Sequence, residues 1–320
     1  MRDSPLYDCA IIGAGISGLL AATSLKKSGY SVIVIDKGRG VGGRMATRRI
    51  GEACIDHGSQ FFTQRSKTLA PWIKTWQENG LIQEWYANEL DTVWRGSNGM
   101  TDVPKFLSQD LIIEKSTRVI ELIREKSKWF LRSEDGRHFS SKTVILTAPL
   151  PQSVGLLDHQ SIALPSGDFE RLSSVKYTRC LAALVHLQSP TKLDPPGIIK
   201  IQESNIETIT DNLIKGISKS PVLTIHSSAE FADKYWNYDD EFRLPQLIDS
   251  ARKIIDFKTV EASMHRWGFA KTLNPLSESH YASTTLGLAI AGDGFIAGRV
   301  EAAAQSGLAA AESATMMLSD

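Results

Sequence analysis

An α/β fold is predicted from three features of the chain. These are a strand, glycine turn, helix and strand in succession near the N-terminus, a β-meander in the middle, and a strand, glycine turn and alanine-rich helix at the end. Together they imply a parallel sheet carried by β-α-β units, interrupted by a second region of mixed α+β character. At 320 residues the chain exceeds one ordinary core, which suits one large domain or two intimate ones. Its 36 basic residues balance its 36 acidic ones, so there is no electrostatic footprint for nucleic acid or for a polybasic membrane anchor. Cys9, Cys54 and Cys180 are far apart and odd in number, which argues against a disulfide framework or zinc and suits a reducing, cytoplasmic setting. No metal site is expected. The apolar stretch CAIIGAGISGLLAA is preceded by Asp8 and broken by regularly spaced glycines, unlike the core of a signal peptide. No run approaches the roughly 20 apolar residues of a membrane span.

The first element is the apolar run Tyr7 to Ile12, read as a buried strand. A glycine turn follows, then an apolar-periodic helix from about Ser17 to Ser28, stopped by Gly29, and a β-branched strand in SVIVID. Gly13, Gly15 and Gly18 form G-x-G-x-x-G between the first strand and the helix. Gly13 allows the tight turn, Gly15 admits a pyrophosphate to the main chain, and Gly18 lets helix and strand pack closely. The helix start, with Ile16 and Ser17, offers free N–H groups and a positive dipole end to the phosphates. Asp36 closes the second strand where an acid suits the ribose hydroxyls of an adenosine, and Lys37 follows it. The unit is a Rossmann-like dinucleotide-binding fold, compatible so far with NAD or FAD.

The next stretch, GRGVGGRMATRR, is too rich in glycine to be a helix interior. Its R-G-x-G-G-R, Arg39 to Arg44, resembles the second dinucleotide motif of the flavin-containing amine oxidase superfamily, and other features resemble its small renalase-like branch. The resemblance favours FAD. Gly43 would let the main chain pass the cofactor, and Arg44 would set a guanidinium fork on a phosphate. Arg48 and Arg49 are either further phosphate contacts or a solvated cluster. EACIDHGSQFFT is similar to the segment that leads past the flavin ring in that superfamily, with Gly58, Ser59, Gln60 and Phe61 as the implied contacts. His57 receives no role by this resemblance, and Phe62 reads equally as core.

Asp135-Gly136 marks the turn of the meander, between strands around Val119 to Ile123 and Trp129 to Ser133 and the buried run TVILTAP. Val119 resembles the superfamily residue that holds adenine. LGLAIAGDGFIAGRVEAAAQSG near the end resembles the superfamily's closing motif. It implies Gly292 and Asp293 near the ribityl-pyrophosphate and a helix, starting at Arg299 and Val300, aimed at the flavin pyrimidine. No cysteine occupies this turn, so the resemblance implies non-covalent FAD. The expected domains are 1–62, 111–150 and 285–320 for FAD, and 63–110 and 151–284 for substrate, the latter an α+β cap of the amine oxidase type.

In the cap, APWIKTWQENG is apolar at helical spacing, CLAALVHLQ and PVLTIHSS read as strands, and RLPQLIDSARKIID reads as a helix. SMHRWGFAKTLNP carries the renalase-like pattern H-R-W-x-(Y/F)-A at His265, Arg266, Trp267, Phe269 and Ala270. His265 is a candidate proton relay and Trp267 a candidate stacking face. A satisfied histidine and a core aromatic are the plain alternatives, and Trp94, Tyr177 and His226 are equally ambiguous. The resemblance implies a small-molecule substrate, the 2- and 6-dihydro isomers of NAD(P)H, oxidised to NAD(P)+ with oxygen giving hydrogen peroxide. Two other readings stand beside it: an FAD-dependent oxidase or dehydrogenase for amines or other small molecules, for which Lys176 or Lys271 would be the candidate lysine, and a flavin-binding sensor or assembly factor without turnover.

Overall fold

The computed structural model describes residues 5–87, 91–157, 162, 164–201 and 204–319. The chain divides into two compact units, one of residues 1–43, 104–176 and 272–320, the other of residues 44–103 and 177–271.

In the first unit, strand Leu6–Ile12 (β1) leads through the glycine turn into helix Ile16–Lys27 (α1) and strand Val32–Ile35 (β2). β1 pairs in parallel with β2 and with strand His138–Leu146, and the latter pairs in parallel with Leu288–Ile290. Every residue of β2 is buried, as expected of a parallel strand covered on both faces. Leu19, Leu20 and Leu25 anchor α1 in the core at 0% exposure, each stabilising by about 2 kcal/mol. Strands Val119–Glu125 and Lys128–Ser133 run antiparallel and return to His138–Leu146 through Gly136, forming the meander. The C-terminal helix Val300–Ser319 lies against α1 so closely that a Cβ on Gly307 would fall 2.2 Å from the Ser17 carbonyl oxygen. Small residues, Ala302 to Ala304, Ala310, Ala311 and Ala314, make that approach possible.

The second unit is built on a five-stranded sheet in the order Ile198–Lys200, Ile206–Asp211, Val222–Ser227, Tyr177–Leu187 and Thr259–Thr272. Helices Ala229–Tyr235 and Asp240–Arg252 start on Ser228 and Asp239, whose side chains accept the Phe231 and Phe242 amides. Their apolar faces close a core over Leu181, Ala183, Val185, Ile209, Leu223 and Ile225. The hairpin Thr47–Ile50 (β3) and Ala53–Asp56 (β4) belongs here, so Arg48 and Arg49 lie in a strand.

These boundaries differ from those expected from sequence. Residues 44–62 group with the second unit because Ala53 and Ile55 of β4 form a buried cluster with Leu184 and Val222. Residues 151–176 stay with the first unit, in helices Leu150–Leu157 and Ser166–Ser173, which pack on each other. Residues 272–284 do so because strand Tyr281–Ser283 pairs with Leu288–Ile290. No described helix is long and apolar enough to cross a membrane.

Candidate functional site

The glycine turn of the first unit has the geometry its spacing implies. Gly13 sits at φ 114°, open only to glycine, and a Cβ on Gly18 would fall 2.0 Å from the Gly13 carbonyl oxygen. Gly15 is different: its backbone is ordinary, at φ −77°, and no atom lies within 4 Å of where its Cβ would be. The turn is pinned by Gly42, whose N–H donates to the Ala14 carbonyl at 2.8 Å. Gly42 and Gly43 both have positive φ, at 112° and 54°.

Ile16 and Ser17 open α1, and the Ser17 hydroxyl is buried with no hydrogen-bond partner among the described residues. An orphaned hydroxyl at a helix N-terminus, next to a glycine facing open space, fits a diphosphate. Asp36 Oδ2 accepts the Ala14 N–H at 2.5 Å and Oδ1 accepts the Gly38 N–H at 2.6 Å, so the carboxylate shapes the turn. Two of its lone-pair sites remain for ribose hydroxyls. Lys37 donates to Gln152, and a cavity of about 510 Å³ opens beside it, bordered by Ser116, Arg118, Glu134 and Asp135. Val119, next to Arg118, is buried.

At the far end of the same unit, Gly292 has φ 138° and its N–H donates to Ser306, while buried Asp293 accepts from the Thr272 hydroxyl at 2.9 Å. Arg299 is exposed with Glu301 3.8 Å away, and Val300 is the first residue of the C-terminal helix. The residues present in this unit fit FAD.

In the second unit the strand Thr259–Thr272 resolves the H-R-W-x-F-A pattern by alternation. Arg266 points one way, over the Trp236 ring at 5.4 Å, and Ser263, His265, Trp267 and Phe269 point the other. Arg48 donates to Ser263, and Arg44 donates to the Phe269 carbonyl at 3.3 Å and lies 5.9 Å from the Tyr177 ring, itself edge-on to Phe269. Arg44, expected on a phosphate, is thus held by its own unit.

His57, given no part by the sequence, is at the centre of this face. Its ring lies 4.7 Å from that of His265 and stacks on Trp267 at 5.6 Å. Its carbonyl accepts the Trp267 indole N–H at 2.7 Å and lies 3.1 Å from His226 Nε2. A carbonyl only accepts, so His226 carries its proton on Nε2, and its Nδ1 accepts a hydrogen bond from the Thr208 hydroxyl. Burial lowers the His57 imidazole to about 4, with His265 and Arg48 adding to the shift. Burial also lowers His265, helped by Arg48, and lowers His226 against the pull of the His57 carbonyl. Three neutral imidazoles and an indole therefore share one face near neutral pH.

Gly58 has no room for a side chain, since its Cβ would meet the Arg44 carbonyl at 2.0 Å and Trp267 at 3.3 Å. The glycine expected to approach a cofactor is required by this unit's own main chain. Ser59 N–H donates to the same Arg44 carbonyl, Gln60 is buried, and Phe61 lies against Trp85 with Lys200 over its ring. Phe62 is core, edge-on to Trp76. Trp94 is half-buried, its indole N–H without a hydrogen-bond partner among the described residues. Lys271 pairs with Glu207.

Sequence reasoning missed the ion pair of Asp56 and Lys215, both wholly buried with Nζ 2.7 Å from Oδ2. Burial lowers the Lys215 ammonium, and Asp56 opposes the shift. Asp56 lies inside EACIDHGSQFFT, but nothing local marks the lysine of NLIKG.

Residues 11–78 match a family model for an NAD(P)-binding Rossmann-like domain, and residues 80–315 match one for flavin containing amine oxidoreductases. Short stretches resemble two curated proteins. An L-amino acid dehydrogenase of Synechocystis sp. is 42% identical over 62 residues, 19% of this chain and 13% of that protein. A 1-hydroxycarotenoid 3,4-desaturase of Flavobacterium sp. is 45% identical over 53 residues, 17% of this chain and 11% of that one. The matched stretches thus span well under a fifth of either relative. Among solved structures, cyclohexylamine oxidase from Brevibacterium oxydans superposes with TM-score 0.72 at 14% identity, covering 99% of this chain and 100% of the other. Putrescine oxidase bound to putrescine gives TM-score 0.71 at 15% identity, with coverage of 99% and 100%. At such identities the likeness is one of fold.

Proposed function

The chain belongs to the flavin containing amine oxidoreductase family and is an FAD-dependent oxidoreductase, and from that premise we propose that its donors are the 2- and 6-dihydro isomers of NAD(P)H. The net reaction takes a hydride from the donor ring: dihydro-NAD(P), oxygen and one proton become NAD(P)+ and hydrogen peroxide. Bound FAD supplies the two-electron acceptor. The chain's own residues bind, orient and exclude water.

The observation that carries this reading is the face around His57. The half-buried Trp267 and His265 rings, inclined at 59° to each other and backed by the buried His57 ring stacked on Trp267, offer an uncharged aromatic surface suited to a nicotinamide, with Arg44 and Arg48 on the same face as charges for an anionic donor. His265 and Trp267 are proposed as pocket residues. A hydride donor needs little acid-base help, which suits imidazoles held neutral. Non-covalent FAD is proposed to rest on Gly13, Gly15, Ile16, Ser17, Gly18, Asp36, Lys37, Gly43, Val119, Gly292, Asp293, Arg299 and Val300 in the first unit. Arg44, Gly58, Ser59, Gln60 and Phe61 are proposed in the second.

The second reading, an oxidase of amines, draws on the fold shared with putrescine and cyclohexylamine oxidases. Anaerobic mixing separates the two. The dihydronicotinamide isomers are expected to bleach the yellow protein rapidly, while ordinary NADH and simple amines act slowly. Rapid bleaching by amines alone would establish the second reading, and no bleaching by any donor would favour a sensor. Arg44→Ala is expected to weaken FAD affinity by about tenfold to a hundredfold, measured by fluorescence titration. An unchanged affinity with a lowered melting temperature would make Arg44 a strut for the Phe269 strand alone.

A further inference from the structure

The buried pair of Lys215 and Asp56 lies outside the chemistry proposed above. Lys215 is shut off from any ligand, with its side chain at 0% exposure. It therefore touches neither donor nor cofactor, and its partners define what it does. Besides Asp56 Oδ2 at 2.7 Å, its Nζ reaches Gln60 Oε1 at 3.4 Å and lies 5.1 Å from the centre of the Trp85 ring.

Asp56 is the anchor of a turn. Its Oδ1 accepts from the Thr47 hydroxyl at 2.5 Å and the Met100 N–H at 2.9 Å. Its N–H donates to Asn212 Oδ1 at 3.3 Å, and its carbonyl accepts from the Thr224 hydroxyl at 2.7 Å. Gln60 closes the turn by donating Nε2 to the Asp56 carbonyl at 2.7 Å and to the Gly58 carbonyl at 3.1 Å. That pattern leaves the Gln60 amide oxygen facing Lys215, and the ammonium fixes which way the amide points.

We propose that Lys215 is a positioning residue, holding the Asp56–Gln60 turn and the Gln60 amide in the one arrangement that serves the flavin. This rests on the reading that Gly58, Ser59 and Gln60 are FAD contacts. A buried ion pair is a poor source of stability compared with apolar side chains of the same volume, but it fixes geometry when every donor and acceptor is used. The carboxylate's donors come from its hairpin partner Thr47 and from the remote Met100 and Lys215, so it ties three parts of the chain together, which is the arrangement of a clamp.

The test compares variants in FAD affinity, flavin absorption and melting of the apoprotein. Lys215→Met alone strands a buried carboxylate, and loss of folded protein is expected. The double variant Asp56→Asn with Lys215→Met removes both charges. It should melt cooperatively near the wild type, bind FAD about tenfold more weakly or worse, and shift the flavin absorption bands. Adding Gln60→Leu to the double variant should cost no further affinity, because Lys215 acts through that amide. A folded double variant with wild-type affinity and spectrum would overturn the positioning role, and a double variant that does not fold would make the pair a folding element and overturn it as well. If the wild type itself took up no FAD, the underlying reading would fall and this one with it.

Discussion

Gly15→Ala is expected to abolish tight FAD binding in a protein that still folds, while Gly18→Ala, three residues along, is expected to unfold it. The two glycines belong to one motif but face different things. The Cβ of an alanine at Gly18 would lie 2.0 Å from the Gly13 carbonyl oxygen and 2.8 Å from the Thr147 hydroxyl. The carbonyl is main chain and cannot move without breaking the turn, so the helix must shift off β1, at a cost of about 3 kcal/mol or more. At Gly15 nothing among the described residues lies within 4 Å of the added carbon, and φ is −77°, comfortable for any residue. Replacing glycine at that helix N-cap should therefore change stability by less than about 1 kcal/mol. The open space is where a diphosphate would approach the Ser17 hydroxyl and the helix amides, and a methyl group there should weaken FAD by about a hundredfold. Urea titration of the apoproteins and FAD titration together measure both. Wild-type FAD affinity in Gly15→Ala would place the diphosphate elsewhere, and wild-type stability in Gly18→Ala would refute the close approach of α1 to the turn.

That contrast shows what a sequence makes legible. The work of Gly13, Gly15 and Gly18 is local, fixed by the adjoining strand and helix, so their spacing announces it, and Asp36 is legible for the same reason. The residues of the second unit are brought together over long distances. His57 and His265 meet because β4 and the strand Thr259–Thr272 converge, and Asp56 and Lys215 are 159 positions apart in the chain. No periodicity encodes such a meeting. His57 looked idle because its neighbours in sequence gave it nothing to do, while in the structure its ring and its carbonyl hold Trp267, His265 and His226 in place. The arginines of GRGVGGRMATRR show the same limit. Their charge was plain, but only the pairing of β3 with β4 puts Arg48 on Ser263 and turns Arg49 toward Asn98 and Asp102.

The histidine face also has a consequence for acid stability. A histidine in an unfolded chain titrates near 6.5, whereas burial, with His265 and Arg48 beside it, holds His57 at about 4 in the folded protein. The folded state thus prefers the neutral ring. The stability this confers is complete above about pH 6.5 and is lost as the pH falls toward about 4, where the unfolded chain already binds the proton. For His57 alone the loss amounts to about 3 kcal/mol. His265 and His226 are lowered as well and act in the same direction. Carboxylates titrate in the lower part of this range, so the decisive quantity is a difference between variants. His57→Phe keeps a flat ring against Trp267 and removes the proton-binding site. It should be close to neutral near pH 7 and more stable than the wild type by about 2 to 3 kcal/mol near pH 4. Urea midpoints of both proteins across that interval provide the measurement. Parallel curves would mean that His57 titrates in the folded protein as it does in the unfolded chain, and the face inferred for substrate would then carry a charge below about pH 6.5.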